Sequence, residues 1–139
     1  MKDFEDLARI AVDCGFAIHR DLGPGLLESV YESLLAQALE RSGLRIERQK
    51  AISFTYNGLS LTEGFRADLL VEQKLLVELK AVEKVAPVHT RQTLTYLRLM
   101  NLPLGLLMNF GAATFKEGVE RVLNTRADMS SVRIRTDRR

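Results

Sequence analysis

Three charged side chains in the middle of the chain have the types and spacing that a metal-dependent hydrolytic site requires. Glu78 and Lys80 are two residues apart, so on a β-strand both side chains point to the same face. Asp68 precedes them in another β-rich segment. Two carboxylates give Mg²⁺ hard oxygen ligands and leave positions open for water and a phosphate oxygen. A lysine beside such an ion can orient or deprotonate the attacking water and stabilise the developing negative charge.

The register of a predicted hairpin decides whether the two carboxylates meet. A three-residue loop, Glu72 to Lys74, places Asp68 opposite Glu78, with Cβ atoms about 5 Å apart. A two-residue loop instead places Asp68 opposite Leu79, and a slip of one residue reverses the facing of every side chain. An alternating Glu and Lys is also typical of a solvated strand face with a weak ion pair. The three-residue loop is the register that builds a site.

Polar residues on two predicted helices could join this cluster. Gln92 and Tyr96 are four residues apart and share a helix face, from which an amide and a hydroxyl can hold a phosphate or a metal-bound water. Tyr96 is also compatible with core packing, and Gln92 with a plain surface position on the helix. Glu28 opens the second helix, where it could reach the metal or simply complement the helix dipole. His89 precedes Gln92 on the same stripe, and we expect it to line the helix start because an oxygen-rich centre suits magnesium.

Hydrophobic periodicity predicts the elements that must position these residues. Apolar residues recur every three or four positions in helices expected from Phe4 to Leu22, Leu27 to Ser42 and Pro87 to Met100. Gly23-Pro24-Gly25 separates the first two, because proline cannot continue a helix. The β-rich segments predict strands around an Asn57-Gly58 turn, from Phe65 to Val71, from Leu75 to Lys80 and, fully buried, from Leu104 to Phe110. The type of the final element, Phe115 to Leu123, stays open.

Composition indicates the number of domains and the cellular location to expect. With 139 residues and 46% hydrophobic content, the chain is expected to form one domain over residues 1–123, followed by a basic, mobile tail over residues 124–139. The net charge of +2 is too small to predict nucleic-acid binding by itself. The single cysteine, Cys14, cannot form an internal disulfide, which favours a reducing, cytoplasmic location. No signal peptide is evident, and no apolar run reaches the roughly 20 residues that cross a bilayer, so no membrane partner is expected.

Four motifs resemble those of a known family. Gly64-Phe65-Arg66-Ala67-Asp68, then Glu78-Leu79-Lys80, then Gln92-Thr93-Leu94-Thr95-Tyr96 resemble the RecB-type branch of the PD-(D/E)XK nuclease superfamily, in the same order and on the same kinds of element. Gly25-Leu26-Leu27-Glu28-Ser29-Val30-Tyr31 resembles the signature of the small GxxExxY proteins within that superfamily. The resemblance covers approximately Ile10 to Leu123.

The resemblance implies a fold and a set of roles. The fold is an α/β (α+β) restriction-endonuclease-like core, in which helices flank a mixed sheet in the order αβββαβ after an extra N-terminal helix. The implied metal ligands for Mg²⁺, with Mn²⁺ as a substitute, are Asp68, Glu78, the Leu79 backbone carbonyl and Glu28. Lys80 is the implied catalytic lysine. Gln92 and Tyr96 match the motif on the helix that follows.

These observations lead to two functional hypotheses. The first is a metal-dependent nuclease that hydrolyses phosphodiester bonds, with DNA as the favoured substrate. The second is a catalytically silent nuclease fold that binds nucleic acid or a partner protein, because a fold does not fix a function. The chain has few residues beyond the core for reading a substrate. A homodimer or a partner protein could therefore extend the binding surface.

Overall fold

The computed structural model describes residues 2–132, which form a five-stranded sheet with helices on both faces. In chain order the elements are α1 (Phe4–Leu22), α2 (Glu28–Arg41), β1 (Ile46–Tyr56), β2 (Leu59–Val71), β3 (Leu75–Lys80), α3 (Pro87–Met100), β4 (Leu104–Asn109), α4 (Phe115–Gly118) and β5 (Val119–Leu123). The strands lie in the order β1-β2-β3-β4-β5. Among the strands of residues 2–132, only β3 and β4 run parallel, and α3 makes the crossover between them. The predicted mixed sheet flanked by helices is confirmed.

Two apolar clusters hold the helices against the sheet. The larger cluster packs α1 and α2 on one face, and its members include Leu7, Leu35, Leu69, Val77 and Leu106. The smaller cluster packs α3 on the other face through Ala67, Leu76, Leu97, Leu107 and Val122. Ala67 and Leu69 would share a face in a regular strand, yet they belong to different clusters. The strand β2 is therefore irregular around Asp68.

Local chemistry sets the helix ends where the sequence predicts them. Asp3 caps α1 through a bond from the backbone N–H of Asp6, and Asp6 returns the bond in a capping box. The helix ends at Gly23, whose φ of 74° suits a residue without a Cβ. Pro87 occupies the first turn of α3, where a missing backbone N–H costs nothing. The predicted bounds of α1 and α3 are confirmed.

Both hairpins close with residues at positive φ. Asn57 and Gly58, at φ 48° and 82°, join β1 to β2, as a two-residue hairpin turn requires. Val71 pairs with Leu75, so the β2–β3 loop contains three residues. Glu72 ties this loop to the start of β1, because its N–H donates to the carbonyl of Arg45 at 2.9 Å and its carboxylate accepts from the Arg45 N–H at 2.6 Å. The three-residue register is confirmed.

One element differs from the sequence-based expectation, and one that was open is now defined. The strand expected after Asn57-Gly58 and the run from Phe65 to Val71 form a single strand, β2, and the final segment is a short helix followed by the edge strand β5. Asn124 is buried and bonds to the carbonyls of Leu97 and Leu102, while Val132 packs against the larger cluster. The rest of the expected tail, residues 133–139, lies outside the described residues. Within residues 2–132, no helix is long and apolar enough to cross a bilayer.

Candidate metal centre

The side chains of Asp68 on β2 and Glu78 on β3 connect the two strands at the point where backbone pairing between them ends. Paired residues run from Val71 and Leu75 to Leu69 and Val77. Beyond them, a Glu78 carboxylate oxygen accepts from the Asp68 N–H at 2.8 Å, and an Asp68 carboxylate oxygen accepts from the Leu79 N–H at 2.9 Å. Reciprocal side-chain bonds thus replace backbone pairing, and two carboxylates lie side by side.

Burial raises the pKa of both carboxyl groups. Glu78 is 5% exposed, and loss of water together with the nearby Asp68 charge raises its pKa from 4.5 to about 8. The pKa of Asp68 is also raised by burial, although the Leu79 N–H and an amide from Gln49 oppose the rise by bonding to its charged form. A pair of this kind attracts either a proton or a cation.

Lys80 lies next to this pair, and β4 fixes the end of its strand. The Lys80 carbonyl accepts from the Phe110 N–H at 2.8 Å, and the buried Asn109 side chain accepts from the N–H groups of Val82 and Gly111, both at 3.0 Å. The positive charge of Lys80 lowers the pKa of Glu78. The Lys80 carbonyl points to β4, so the Leu79 carbonyl points, like its N–H, towards β2 and Asp68.

The first helix turn of α2 adds a further carboxylate. Glu28 is the first residue of α2 and remains largely exposed. Its pKa is raised by partial burial and then by the charge of Asp68, while Lys80 lowers it. Glu28 therefore lies within electrostatic range of the pair on the sheet.

The two predicted residues of α3 are placed differently from each other. Tyr96 stacks on Phe65 with ring centroids 4.0 Å apart, and its pKa is raised by burial and then by the charges of Glu78 and Asp68. Gln92 is exposed, and within residues 2–132 no hydrogen bond joins it to the acidic pair. His89 accepts a bond from the Ala86 N–H at 3.2 Å, which confirms that it caps the helix start.

Comparison with known proteins identifies the family of the chain. The family model of the PD-(D/E)XK nuclease superfamily matches residues 5–122, which is most of the chain. The chain belongs to this superfamily. Its members are generally nucleases or phosphodiesterases, and they typically use divalent metals. No curated protein and no solved structure matches the chain.

The PD-(D/E)XK donor set can be tested against the chemistry of the ion. In the described part of the chain, no three side chains from His, Cys, Asp and Glu converge in a way that could hold a metal. Mg²⁺ does not require such a cage, because it commonly binds one or two carboxylates and keeps water or phosphate as its other ligands. Asp68, Glu78 and the Leu79 carbonyl provide only hard oxygen donors. The site therefore fits Mg²⁺ or Mn²⁺ better than it fits zinc.

Two residues beside Asp68 are missed by the sequence-based interpretation. Gln49 of β1 donates from one amide nitrogen to Glu32 at 2.7 Å and to Asp68 at 3.1 Å. Glu32 lies one helical turn after Glu28, and this spacing of four residues is a signal that could have revealed it. Gln49 carries no such signal, because a polar residue in a half-exposed strand is common.

Proposed function

We propose that the protein is a metal-dependent nuclease that hydrolyses phosphodiester bonds of nucleic acid, with DNA as the favoured substrate. The observation that supports this proposal is the reciprocal bonding of Asp68 and Glu78, with Lys80 two residues beyond. Burying two carboxylates next to each other is costly unless a cation or a proton joins them. A divalent cation held here would neutralise negative charge on a phosphodiester substrate.

The proposed ligands of Mg²⁺, for which Mn²⁺ can substitute, are Asp68, Glu78, the Leu79 backbone carbonyl and Glu28. When bound, the ion supplies Lewis-acid chemistry and lowers the pKa of a water molecule. Asp68 is the main anchor, because the Leu79 N–H and the Gln49 amide hold both of its oxygens. Glu28 approaches from α2 and contributes directly or through water.

Lys80 is the proposed catalytic group that handles the proton of the attacking water and the negative charge of the reacting phosphate. Its amine orients or deprotonates the attacking water, and its positive charge stabilises the oxygens of the reacting phosphate. Tyr96 holds a phosphate oxygen or water through its hydroxyl while its ring stays stacked on Phe65. Gln92 is exposed on α3, so its proposed partner is the substrate.

Several finer features belong to the same proposal. The Gly25 to Tyr31 motif supports membership of the GxxExxY group within the superfamily. The proposed nuclease-like domain covers residues 1–123, and Asn124 and Val132 also pack against it. The rest of residues 124–139 adds a basic segment. A cytoplasmic location agrees with the single cysteine. A homodimer or a partner protein would extend the small surface available for the substrate.

The test is cleavage of labelled single-stranded DNA, duplex DNA and RNA with and without Mg²⁺. We expect metal-dependent cleavage by the wild type. Lys80→Ala should reduce the cleavage rate by about 100-fold or more while Mn²⁺ affinity is kept, because proton transfer commonly contributes a factor of this order. Asp68→Ala should lose both cleavage and Mn²⁺ affinity. Lys116→Ala, which removes an exposed lysine on α4, is the matched control and should behave as the wild type.

Two results would contradict the proposal. Equal residual activity in Lys80→Ala and Asp68→Ala would refute the separate roles of the two residues. Binding of nucleic acid by the wild type with no metal-dependent cleavage would instead favour a catalytically silent module.

A further inference from the structure

A row of polar residues crosses three strands at the candidate centre and begins at Gln49. Arg48 pairs with Leu69 and Lys50 pairs with Ala67, so Gln49 lies opposite Asp68 in the register of β1 and β2. The row continues from Asp68 to Glu78 on β3. Gln49 is thus the β1 residue that lies opposite the acidic pair.

The Gln49 amide connects Asp68 to a buried acid on α2. Its nitrogen donates to Glu32 at 2.7 Å and to Asp68 at 3.1 Å. Glu32 is 5% exposed and also accepts from Arg48 at 3.1 Å, so it is a fixed anchor for the amide. Leu79 bonds the other Asp68 oxygen. A carboxyl group bonded at both oxygens cannot rotate freely.

The backbone at Gln49 adopts a conformation that glutamine rarely takes. Its φ is 47°, in the left-handed region where glycine and asparagine are favoured. Asparagine is one methylene shorter than glutamine, and glycine has no amide. The glutamine amide reaches both Glu32 and Asp68. Backbone outliers of this kind often cluster at functional sites.

We infer that Gln49 is a positioning residue for the metal centre, where its amide fixes the Asp68 carboxylate in the orientation that ligates the ion. The inference rests on the proposed function. Residues that hold a metal ligand in place commonly change metal affinity by about 10- to 100-fold when they are removed. Loss of the Gln49 amide therefore weakens metal binding by a factor of this order without unfolding the protein.

The experiment is a titration of the full chain with Mn²⁺ in the absence of nucleic acid. Electron paramagnetic resonance measures the free Mn²⁺ at each point. Gln49→Gly and Gln49→Asn suit the left-handed backbone but cannot bridge the two carboxylates. We expect both to weaken Mn²⁺ binding by about 10- to 100-fold. We also expect Gln49→Gly to stay folded at the assay temperature, because relief of the left-handed backbone offsets part of the loss of the two amide bonds. The matched control is Gln73→Gly, which replaces an exposed glutamine at φ 56° in the β2–β3 loop and should keep wild-type affinity.

A second readout separates positioning from general damage. Cleavage by Gln49→Asn should recover towards the wild-type rate as the Mn²⁺ concentration rises, because a weakly held ion can be restored by mass action. Wild-type Mn²⁺ affinity in Gln49→Gly and Gln49→Asn would overturn this inference and leave the proposed function intact. Absence of Mn²⁺ binding by the wild type would overturn both.

Discussion

Burial leaves Glu78 with a carboxyl group that holds its proton at neutral pH in the metal-free protein. The pKa is about 8 in the folded chain, against an ordinary value of 4.5. Loss of water is the main cause, and the charge of Asp68 adds to it. Between these two pH values the folded state carries a proton that the unfolded chain has released. The free energy of unfolding therefore falls as the pH rises through this window.

Glu78→Gln should remove this pH dependence. In EDTA, we expect the wild type to lose stability between about pH 5 and about pH 8.5, by on the order of a few kcal/mol at about 1.4 kcal/mol per pKa unit. The glutamine variant should be flatter across the same range and more stable than the wild type at the upper end. Urea denaturation at several pH values measures this. The control is Glu40→Gln, which changes an exposed residue of α2 and should follow the wild type. A wild type that gains stability above pH 5 would exclude a raised pKa for Glu78.

The sequence predicts the residues of the site that belong to motifs and misses those that depend on distant contacts. Asp68, Glu78 and Lys80 follow from strand periodicity and one hairpin register, and both are local properties. Glu32 and Gln49 come together across 17 residues of chain. Their bond depends on how α2 packs beside β1 and on one unusual φ value. Periodicity contains no information about either.

At the scale of the elements, the predictable parts are those that local chemistry specifies. The capping box of Asp3 and the first-turn Pro87 fix the starts of α1 and α3, and the bounds of both helices agree with the sequence. The strand β5 is only five residues long, and its pairing with β4 specifies it. The Asn57-Gly58 turn predicts a strand after it, but the early part of β2 is exposed on both faces, so no buried period shows that this strand continues into the run from Phe65. Irregular pairing with β1 near Phe54 obscures it further.

The length of the β2–β3 loop should control whether the metal centre forms. Deleting Gln73 leaves only Glu72 and Lys74 between Val71 and Leu75. A three-residue loop then re-forms only by taking in a residue of β2 or β3, and taking in Leu75 moves Asp68 opposite Leu79, so we expect Mn²⁺ binding and cleavage to be lost. Gln73→Gly keeps the loop length and suits the positive φ, so it should raise the free energy of unfolding by about 1 kcal/mol without changing Mn²⁺ affinity. Metal titration and chemical denaturation of the two variants measure these effects. Retained Mn²⁺ affinity in the deletion variant would show that the site does not depend on a three-residue loop.

The net positive charge of the whole molecule comes from the C-terminal end of the sequence. Residues 133–139 contain four arginines and one aspartate, a net charge of +3, whereas the whole chain has a net charge of +2. The rest of the chain is therefore slightly negative. Long-range attraction to phosphate cannot come from the domain as a whole. We expect this segment to supply the non-specific part of nucleic-acid binding, and the centre at Asp68 and Glu78 to supply the chemistry.

Replacing the four arginines of residues 133–139 by glutamine should weaken DNA binding and flatten its salt dependence. Each lost phosphate contact reduces the slope of log affinity against log salt by about 0.9 on duplex DNA, so a reduction of about 1 to 3 is expected. Replacing the same arginines by lysine keeps the charge and should keep most of the slope. Fluorescence anisotropy in EDTA over a range of salt concentrations measures the slope without cleavage. The cleavage rate at saturating DNA should stay unchanged, because the segment contributes no proposed catalytic group. An unchanged slope in the glutamine variant would mean that the phosphate contacts lie on the folded domain itself, despite its slightly negative net charge.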